Sequence, residues 1–211
     1  MKRYTRSKTH VCECLFVLKM GDVLEGYDKK TMVLLDPAGL SYMKGRLPLA
    51  SAEGFSKVLY KKFNLADKPV PEKVKSTIQS ELQACYYEHP SVRLIHAVGP
   101  RLVEPTYNKG HVKNKTDLLR VYENILMEFF QNAKPDDILR LVPISSGIFN
   151  QDKSGKPIYT SAEMAEHSIT ALFVAVHNLN YPIYRLELYV KEKEDFDHYL
   201  QFLKKVPKIY R

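Results

Sequence analysis

The stretch LRLVPISSGIF, residues 139–149, changes from an apolar run into small residues. Leucine and valine suit a buried strand, whereas Ser145, Ser146 and Gly147 place almost no side-chain bulk in front of the main chain. A ligand oxygen can therefore approach the backbone N–H groups of this strand-to-loop junction, as phosphate oxygens do. Taken alone, the stretch is also compatible with an ordinary loop.

Two earlier strand patterns also end in residues suited to a ligand site. VRLIHAVGP, residues 92–100, is a buried-strand pattern that ends in Gly-Pro. In KMGDV, residues 19–23, a strand ends at Gly-Asp. In this order and spacing, the three strand ends resemble the macrodomain family over roughly residues 11–203. The family carries Gly-Asp-Ile/Val, Ile-His-x-Val-Gly-Pro and Ser-Ser/Thr-Gly-Ile-Phe around a cleft for ADP-ribose.

The resemblance implies a ligand role for each of these segments. Asp22 would accept a hydrogen bond from the exocyclic amine of adenine, with the N–H of Val23 beside it, although an aspartate here also caps turns. The loop would give its N–H groups to the diphosphate and place Phe149 beside the distal ribose. Tyr189 is a candidate to stack on the adenine or, equally, a core residue. The predicted ligand-binding residues are Asp22, Val23, Ala38, Gly45, Ser145, Ser146, Gly147, Ile148, Phe149 and Tyr189.

The first ligand loop departs from the family pattern. Macrodomains typically carry Asn-Ala-Ala-Asn followed by a glycine-rich run, and here DPAG, residues 36–39, is followed by LSYMKGRLPLA. Ala38 and Gly45 keep the family identity, while Gly39 replaces the asparagine that holds the distal ribose. Lys44 or Arg46 would then either reach a phosphate or fill and close the cleft.

Alternating strand and helix patterns predict an α/β fold, a three-layer α/β/α sandwich with a mixed, mostly parallel central sheet. Strands are expected at 11–19, 31–35, 82–87, 92–98, 139–142 and 184–190. Helices are expected at 50–63, from a cap at 114–117, at 160–178 and at 194–203. The segment 71–87 is ambiguous and is compatible with a helix from Pro71 followed by the strand near 82–87. His96, inside a buried strand, is interpreted as a core histidine.

The length of 211 residues, 45% of them hydrophobic, suits one domain, placed at 11–203. No apolar run approaches the roughly 20 residues of a membrane span, so we expect no membrane contact. Three cysteines suit a reducing compartment, cytoplasmic or nuclear. Packing explains Cys12 and Cys14 better than metal ligation. We predict no metal, no cofactor beyond the ligand, and a monomer.

The net charge of +8 comes from the two ends. Residues 1–10 and 204–211 each hold four basic residues and no acid, and removing these eight from the 32 basic residues leaves 24, equal to the 24 acids. We therefore assign 1–10 and 204–211 as basic tails. Such tails are either solvated termini or contacts for RNA and other polyanions.

Three functions remain open at this point. The first is a module that binds ADP-ribose, free or attached to protein. The second is an ADP-ribosyl hydrolase or an ADP-ribose-1''-phosphate phosphatase, ranked lower because hydrolytic macrodomains orient water with the asparagine and glycine-rich loop altered here. The third is a macrodomain-like scaffold for RNA or protein that has lost ADP-ribose.

Overall fold

Seven strands form one sheet in the computed structural model, which describes residues 6–11, 14–104, 109–179 and 185–206. The strands are β1 (Arg6–Val11), β2 (Cys14–Met20), β3 (Met32–Pro37), β4 (Ala84–Glu88), β5 (Arg93–Ala97), β6 (Ile138–Leu141) and β7 (Arg185–Val190). Their order is β1-β2-β7-β6-β3-β5-β4. The four inner pairings are parallel, and β1 and β4 pair antiparallel at the two edges, which confirms the mixed, mostly parallel sheet.

Helices cover both faces of this sheet. They are α1 (Leu40–Met43), α2 (Gly54–Lys62), α3 (Glu72–Thr77), α4 (Lys109–Asn132), α5 (Ser161–Leu179) and α6 (Lys193–Leu203). Side chains of α4, α5 and α6 belong to one apolar cluster, and those of α1, α2 and α3 to a second. Successive residues of β3 point into different clusters, since Leu34 lies in the second and Leu35 in the first. The predicted three-layer sandwich is therefore confirmed.

The predicted caps of the two long helices fare differently. The N–H and hydroxyl of Thr160 both donate to Glu163 at 2.8 Å, which confirms the capping arrangement before α5. The predicted cap of α4 is wrong, because Asn114 is fully buried one turn inside the helix. Its side-chain amide donates to the carbonyl of Val103 and to the hydroxyl of Tyr159. In the sequence, an asparagine that is buried and hydrogen-bonded to distant backbone cannot be told apart from a helix cap.

Both predicted domain limits need correction. Residues 6–10, assigned to the basic tail, belong to β1, which pairs with β2 from Arg6 opposite Lys19 to Val11 opposite Cys14. Strand pairing uses backbone hydrogen bonds and needs no apolar side chains, so charge alone was a poor guide. At the other end, Val206 is buried in the first apolar cluster. Residues 1–5, 12–13 and 207–211, which include Cys12, lie outside the described residues.

Two buried histidines should make the folded state less stable in acid. Burial, with nearby charges, lowers the pKa of His89 and of His167 to about 4 in each case. Because an unfolded chain binds these protons near pH 6.5, stability should fall as the pH drops from 6.5 towards 4, by up to about 1.4 kcal/mol per pH unit for each histidine.

This pH dependence can be measured by thermal unfolding between about pH 7 and pH 5, above the pH at which most carboxylates of an unfolded chain titrate. We expect the melting temperature to fall steadily, and to fall less steeply in His167→Phe, which keeps the ring packing against Tyr159 and His111. A melting temperature that is constant across this range would contradict the prediction.

Candidate functional site

A cleft of about 940 Å³ runs along one edge of the sheet. Its lining comes from the segments that follow β2, β3, β6 and β7, all at the carboxyl ends of parallel strands. Open α/β sheets bind ligands at this edge. Val58 and Ile148 line the cleft with exposed fractions of 54% and 47%, so part of its wall is apolar surface left open to solvent.

The structure brings eight of the ten predicted ligand-binding residues into this cleft. Ala38 and Gly45 are not among the lining residues. Ala38 is buried, with its N–H directed at the carbonyls of Asp36 and Ala97, and Gly45 occupies a turn with φ +67° after α1. The eight lining residues are Asp22, Val23, Ser145, Ser146, Gly147, Ile148, Phe149 and Tyr189.

The altered first loop lines the cleft with an aromatic ring and supplies no cation. Lys44 donates to the carbonyl of Gln79 at 3.1 Å, and neither it nor Arg46 lines the cleft. Tyr42 does line it, and its ring lies 3.2 Å from the place where a Cβ on Gly39 would stand. Neither alternative considered for Lys44 and Arg46 is therefore correct, and the side chain that this loop contributes to the cleft is Tyr42.

The loop after β6 presents uncommitted backbone donors to the cleft. Among the residues that the structure describes, none accepts a hydrogen bond from the N–H of Gly147, Ile148 or Phe149. Gly147 and Ile148 are exposed, so an N–H without a protein acceptor costs little here and can be taken up by an anionic ligand.

This loop is held in place by the segment that follows β5. The hydroxyl of Ser145, a residue with φ +57°, donates to the carbonyl of Pro100 at 2.7 Å, and the N–H of Leu102 donates to the carbonyl of Phe149 at 2.9 Å. A Cβ on Gly99 would lie 2.6 Å from Ile144 and 2.7 Å from the Ser145 hydroxyl. Gly99 is therefore required for this close approach.

Asp22 forms a turn and remains open to the cleft. Its Oδ1 accepts a hydrogen bond from the N–H of Leu24 at 2.9 Å, so the turn-capping interpretation describes a real contact. The side chain is exposed, and no described residue donates to Oδ2. The N–H of Val23 likewise has no acceptor among the described residues. An acceptor and a donor thus lie side by side, as the edge of a base requires.

Arg140 connects this turn with Tyr189. From the middle of the sheet its Nη1 donates to the carbonyls of Val23 at 3.0 Å and Glu25 at 2.7 Å. Its guanidinium lies 5.3 Å from the ring centroid of Tyr189, and its Nε lies 3.3 Å from the buried carboxylate of Glu187. One rigid, planar cation therefore fixes both the turn and the surroundings of the ring.

Tyr189 lines the cleft and also belongs to the second apolar cluster. Its hydroxyl donates to Glu187 at 3.0 Å and accepts from Lys19 at 3.0 Å. Burial, aided by the negative charge of Glu187, raises the pKa of Tyr189, which keeps the phenol neutral. The hydroxyl of Tyr189 is thus held by two hydrogen bonds, and the residue forms part of the cleft wall.

The charged side chains of the lining are mostly acidic. One lining residue, Lys191, is basic, and four are acidic: Asp22, Glu53, Glu192 and Asp195. A phosphate in this cleft therefore depends on backbone N–H dipoles and meets no cradle of lysine or arginine side chains. Among the described residues, no group of three or more His, Cys, Asp or Glu could hold a metal ion, and no helix is long and apolar enough to cross a membrane.

Sequence reasoning missed a polar network beneath the cleft. Asp36 is fully buried at the end of β3 and accepts from the hydroxyl of Ser56 at 2.6 Å, the hydroxyl of Tyr60 at 2.5 Å and Nδ1 of His96 at 2.7 Å. Nε2 of His96 in turn lies 3.0 Å from Nε2 of His89. His96 is therefore a buried, partnered histidine, which confirms its interpretation.

The signal for this network lay in the pattern of α2. The apolar Val58 is exposed, and the buried residues of α2 are Ser56, Leu59 and Tyr60. Ser56 and Tyr60 are four residues apart, so both hydroxyls fall on the face that points to the sheet. A serine within an otherwise apolar stripe, followed by a tyrosine one turn later, was the clue.

The fold has counterparts among solved structures. An Oceanobacillus iheyensis macrodomain with MES bound has a TM-score of 0.70 at 15% identity, over 98% of this chain and 99% of that one. The macrodomain of the same organism with ADP has a TM-score of 0.65 at 14% identity, over 99% of this chain and 100% of that one.

A Trypanosoma brucei macrodomain in complex with ADP-ribose has a TM-score of 0.60 at 12% identity, over 89% of this chain and 68% of that one. No protein-family model matches the sequence, and no curated protein matches it. At identities this low, the comparisons establish the fold alone, and the three TM-scores agree on that fold. The chain has the macrodomain fold.

Proposed function

We propose that this chain is a module that binds ADP-ribose, either free or attached to a protein. The observation that carries the proposal is the set of uncommitted N–H groups at Gly147, Ile148 and Phe149, in a cleft whose other end holds Asp22. Three adjacent N–H dipoles suit a diphosphate, and an exposed carboxylate beside a free N–H suits adenine. Similar solved structures contain ADP and ADP-ribose, which supports the same ligand here.

The sheet order supports an arrangement of subsites along the cleft. Asp22 follows β2, Tyr189 lies on β7, the donor loop follows β6 and Gly39 follows β3, and these four strands are consecutive neighbours. With a spacing of about 4.8 Å between strands, the cleft extends roughly 14 Å from the first to the last. A base at β2, a diphosphate at β6 and a sugar at β3 match the linear order of ADP-ribose.

Calorimetric titration with ADP-ribose, beside AMP and a short RNA, tests the proposal. We expect ADP-ribose to bind more tightly than AMP, since AMP lacks the second phosphate and the distal ribose. We expect no salt-dependent RNA binding of comparable strength. No heat and no thermal shift with millimolar ADP-ribose would end the proposal, and tight, salt-sensitive RNA binding would favour the scaffold function instead.

We further predict that release of ADP-ribose from modified proteins is very slow or absent. The first loop offers Gly39 and the ring of Tyr42 to the cleft, so it has no amide side chain to orient a water. Loss of such orientation can raise a barrier by several kcal/mol.

The assay is release of labelled ADP-ribose from mono-modified acidic side chains, run beside an active hydrolase. Release at a comparable rate would show that another group orients the water.

A further inference from the structure

Ser56 is a polar side chain at the sugar end of the cleft that the proposed function has not used. It lies on the sheet-facing side of α2, lines the cleft and is only 5% exposed. Its hydroxyl approaches the carbonyl of Pro37, the last residue of β3, at 3.4 Å. Since β3 lies beyond β6 when counted from Asp22, Ser56 is placed past the donor loop.

The single hydrogen of this hydroxyl is already committed. Ser56 Oγ lies 2.6 Å from Asp36 Oδ1, a short contact that is characteristic of a hydroxyl donating to a carboxylate. The other oxygen of Asp36 is occupied by Tyr60 and His96, so the carboxylate is held as an acceptor. The Tyr60 hydroxyl also lies near Ser56, but its hydrogen is donated to Asp36 at 2.5 Å, so the Ser56 oxygen keeps a lone pair.

A serine whose hydrogen is fixed in this way offers only lone pairs to a ligand. Such a serine favours binding of a ligand group that donates a hydrogen bond, such as a sugar hydroxyl. It disfavours a group that only accepts, such as a phosphate oxygen. We propose that Ser56, oriented by Asp36, determines specificity by accepting a hydrogen bond from a hydroxyl of the sugar that follows the diphosphate. This inference rests on the proposed function.

The experiment compares ADP with ADP-ribose on the wild type and on Ser56→Ala. ADP carries the base and the diphosphate but ends before the second sugar, so its affinity should be unchanged by the substitution within about twofold. ADP-ribose should lose about three- to tenfold in affinity, the effect of one neutral hydrogen bond. The advantage of ADP-ribose over ADP should therefore shrink or disappear.

Two further variants separate recognition from folding. Ser56→Cys keeps the size of the side chain with a weaker acceptor and should reproduce the loss. Ser76→Ala removes an exposed serine of α3, which bonds only its own helix and does not line the cleft, so it should leave both affinities unchanged. Thermal melting of each variant establishes that the comparison is made on folded protein.

The failures are distinguishable. If ADP and ADP-ribose both fail to bind the wild type, the proposed function fails and the inference falls with it. If ADP-ribose binds and keeps its full advantage over ADP in Ser56→Ala, the inference is overturned while the proposed function stands. Equal affinities of ADP and ADP-ribose for the wild type would also overturn it, because no sugar hydroxyl would then be recognised.

Discussion

Replacing Gly147 with Glu is expected to abolish ADP-ribose binding, lowering the affinity at least about a hundredfold. A carboxylate at this position would lie beside the backbone N–H groups proposed to bind the diphosphate and would repel the phosphate oxygens. Two unit charges at 4 Å repel by about 4 kcal/mol near a protein surface. The fold should persist, because a Cβ on Gly147 has nothing within 4 Å and the added side chain meets open space. Calorimetry and thermal melting measure the two effects separately.

Two variants at the same position serve as controls. Gly147→Ala should bind with little change, since the added methyl group meets open space. Gly147→Gln has the size of glutamate without its charge and should fall between the two. Unchanged affinity in folded Gly147→Glu protein would show that the loop does not hold phosphate.

Replacing Asp22 with Ala should weaken ADP-ribose binding by about 1 to 3 kcal/mol, the effect of a lost hydrogen bond to a charged acceptor. The substitution also removes the turn contact with the N–H of Leu24, so affinity alone would not separate the two roles. The inosine analogue of ADP-ribose, which lacks the exocyclic amine, separates them. The wild type should prefer ADP-ribose over this analogue, and Asp22→Ala should lose the preference.

Asp22→Asn is the matched variant, because its side-chain oxygen can still accept from Leu24 and preserve the turn. It should retain thermal stability and part of the preference for adenine. A wild type that binds the two nucleotides equally would contradict the role of Asp22, whatever the affinity of the variants.

Local patterns were enough to predict most of the fold. Apolar strands separated by helical spacings specify the layers, and small or turn-forming residues mark where each strand ends, which is why Asp22 and the loop at Gly147 were found as neighbours in space. The strand that was missed, β1, pairs through its backbone and carries charged residues at the sheet edge. Charge composition therefore concealed a strand.

The sugar end of the cleft was harder to predict because it depends on contacts between distant residues. Ser56 reaches Asp36 across twenty positions, and Tyr42 fills space beside Gly39 only because α1 turns the chain there. A phosphate contact was considered for Lys44, but its ammonium group donates to the carbonyl of Gln79, thirty-five residues away. Residue types gave the chemistry that was available, and the packing of α1 and α2 decided which side chains reached the cleft.

The central claim is that the loop after β6 holds the diphosphate through its backbone. Amide ¹H–¹⁵N spectra recorded during titration with ADP-ribose test this most directly, because each N–H reports its own hydrogen bond. We predict that the largest shifts fall on Gly147, Ile148 and Phe149, with a second group at Asp22 and Val23, and that ADP reproduces them. Saturating ADP-ribose that shifts other amides while leaving those of residues 147–149 unchanged would contradict the account.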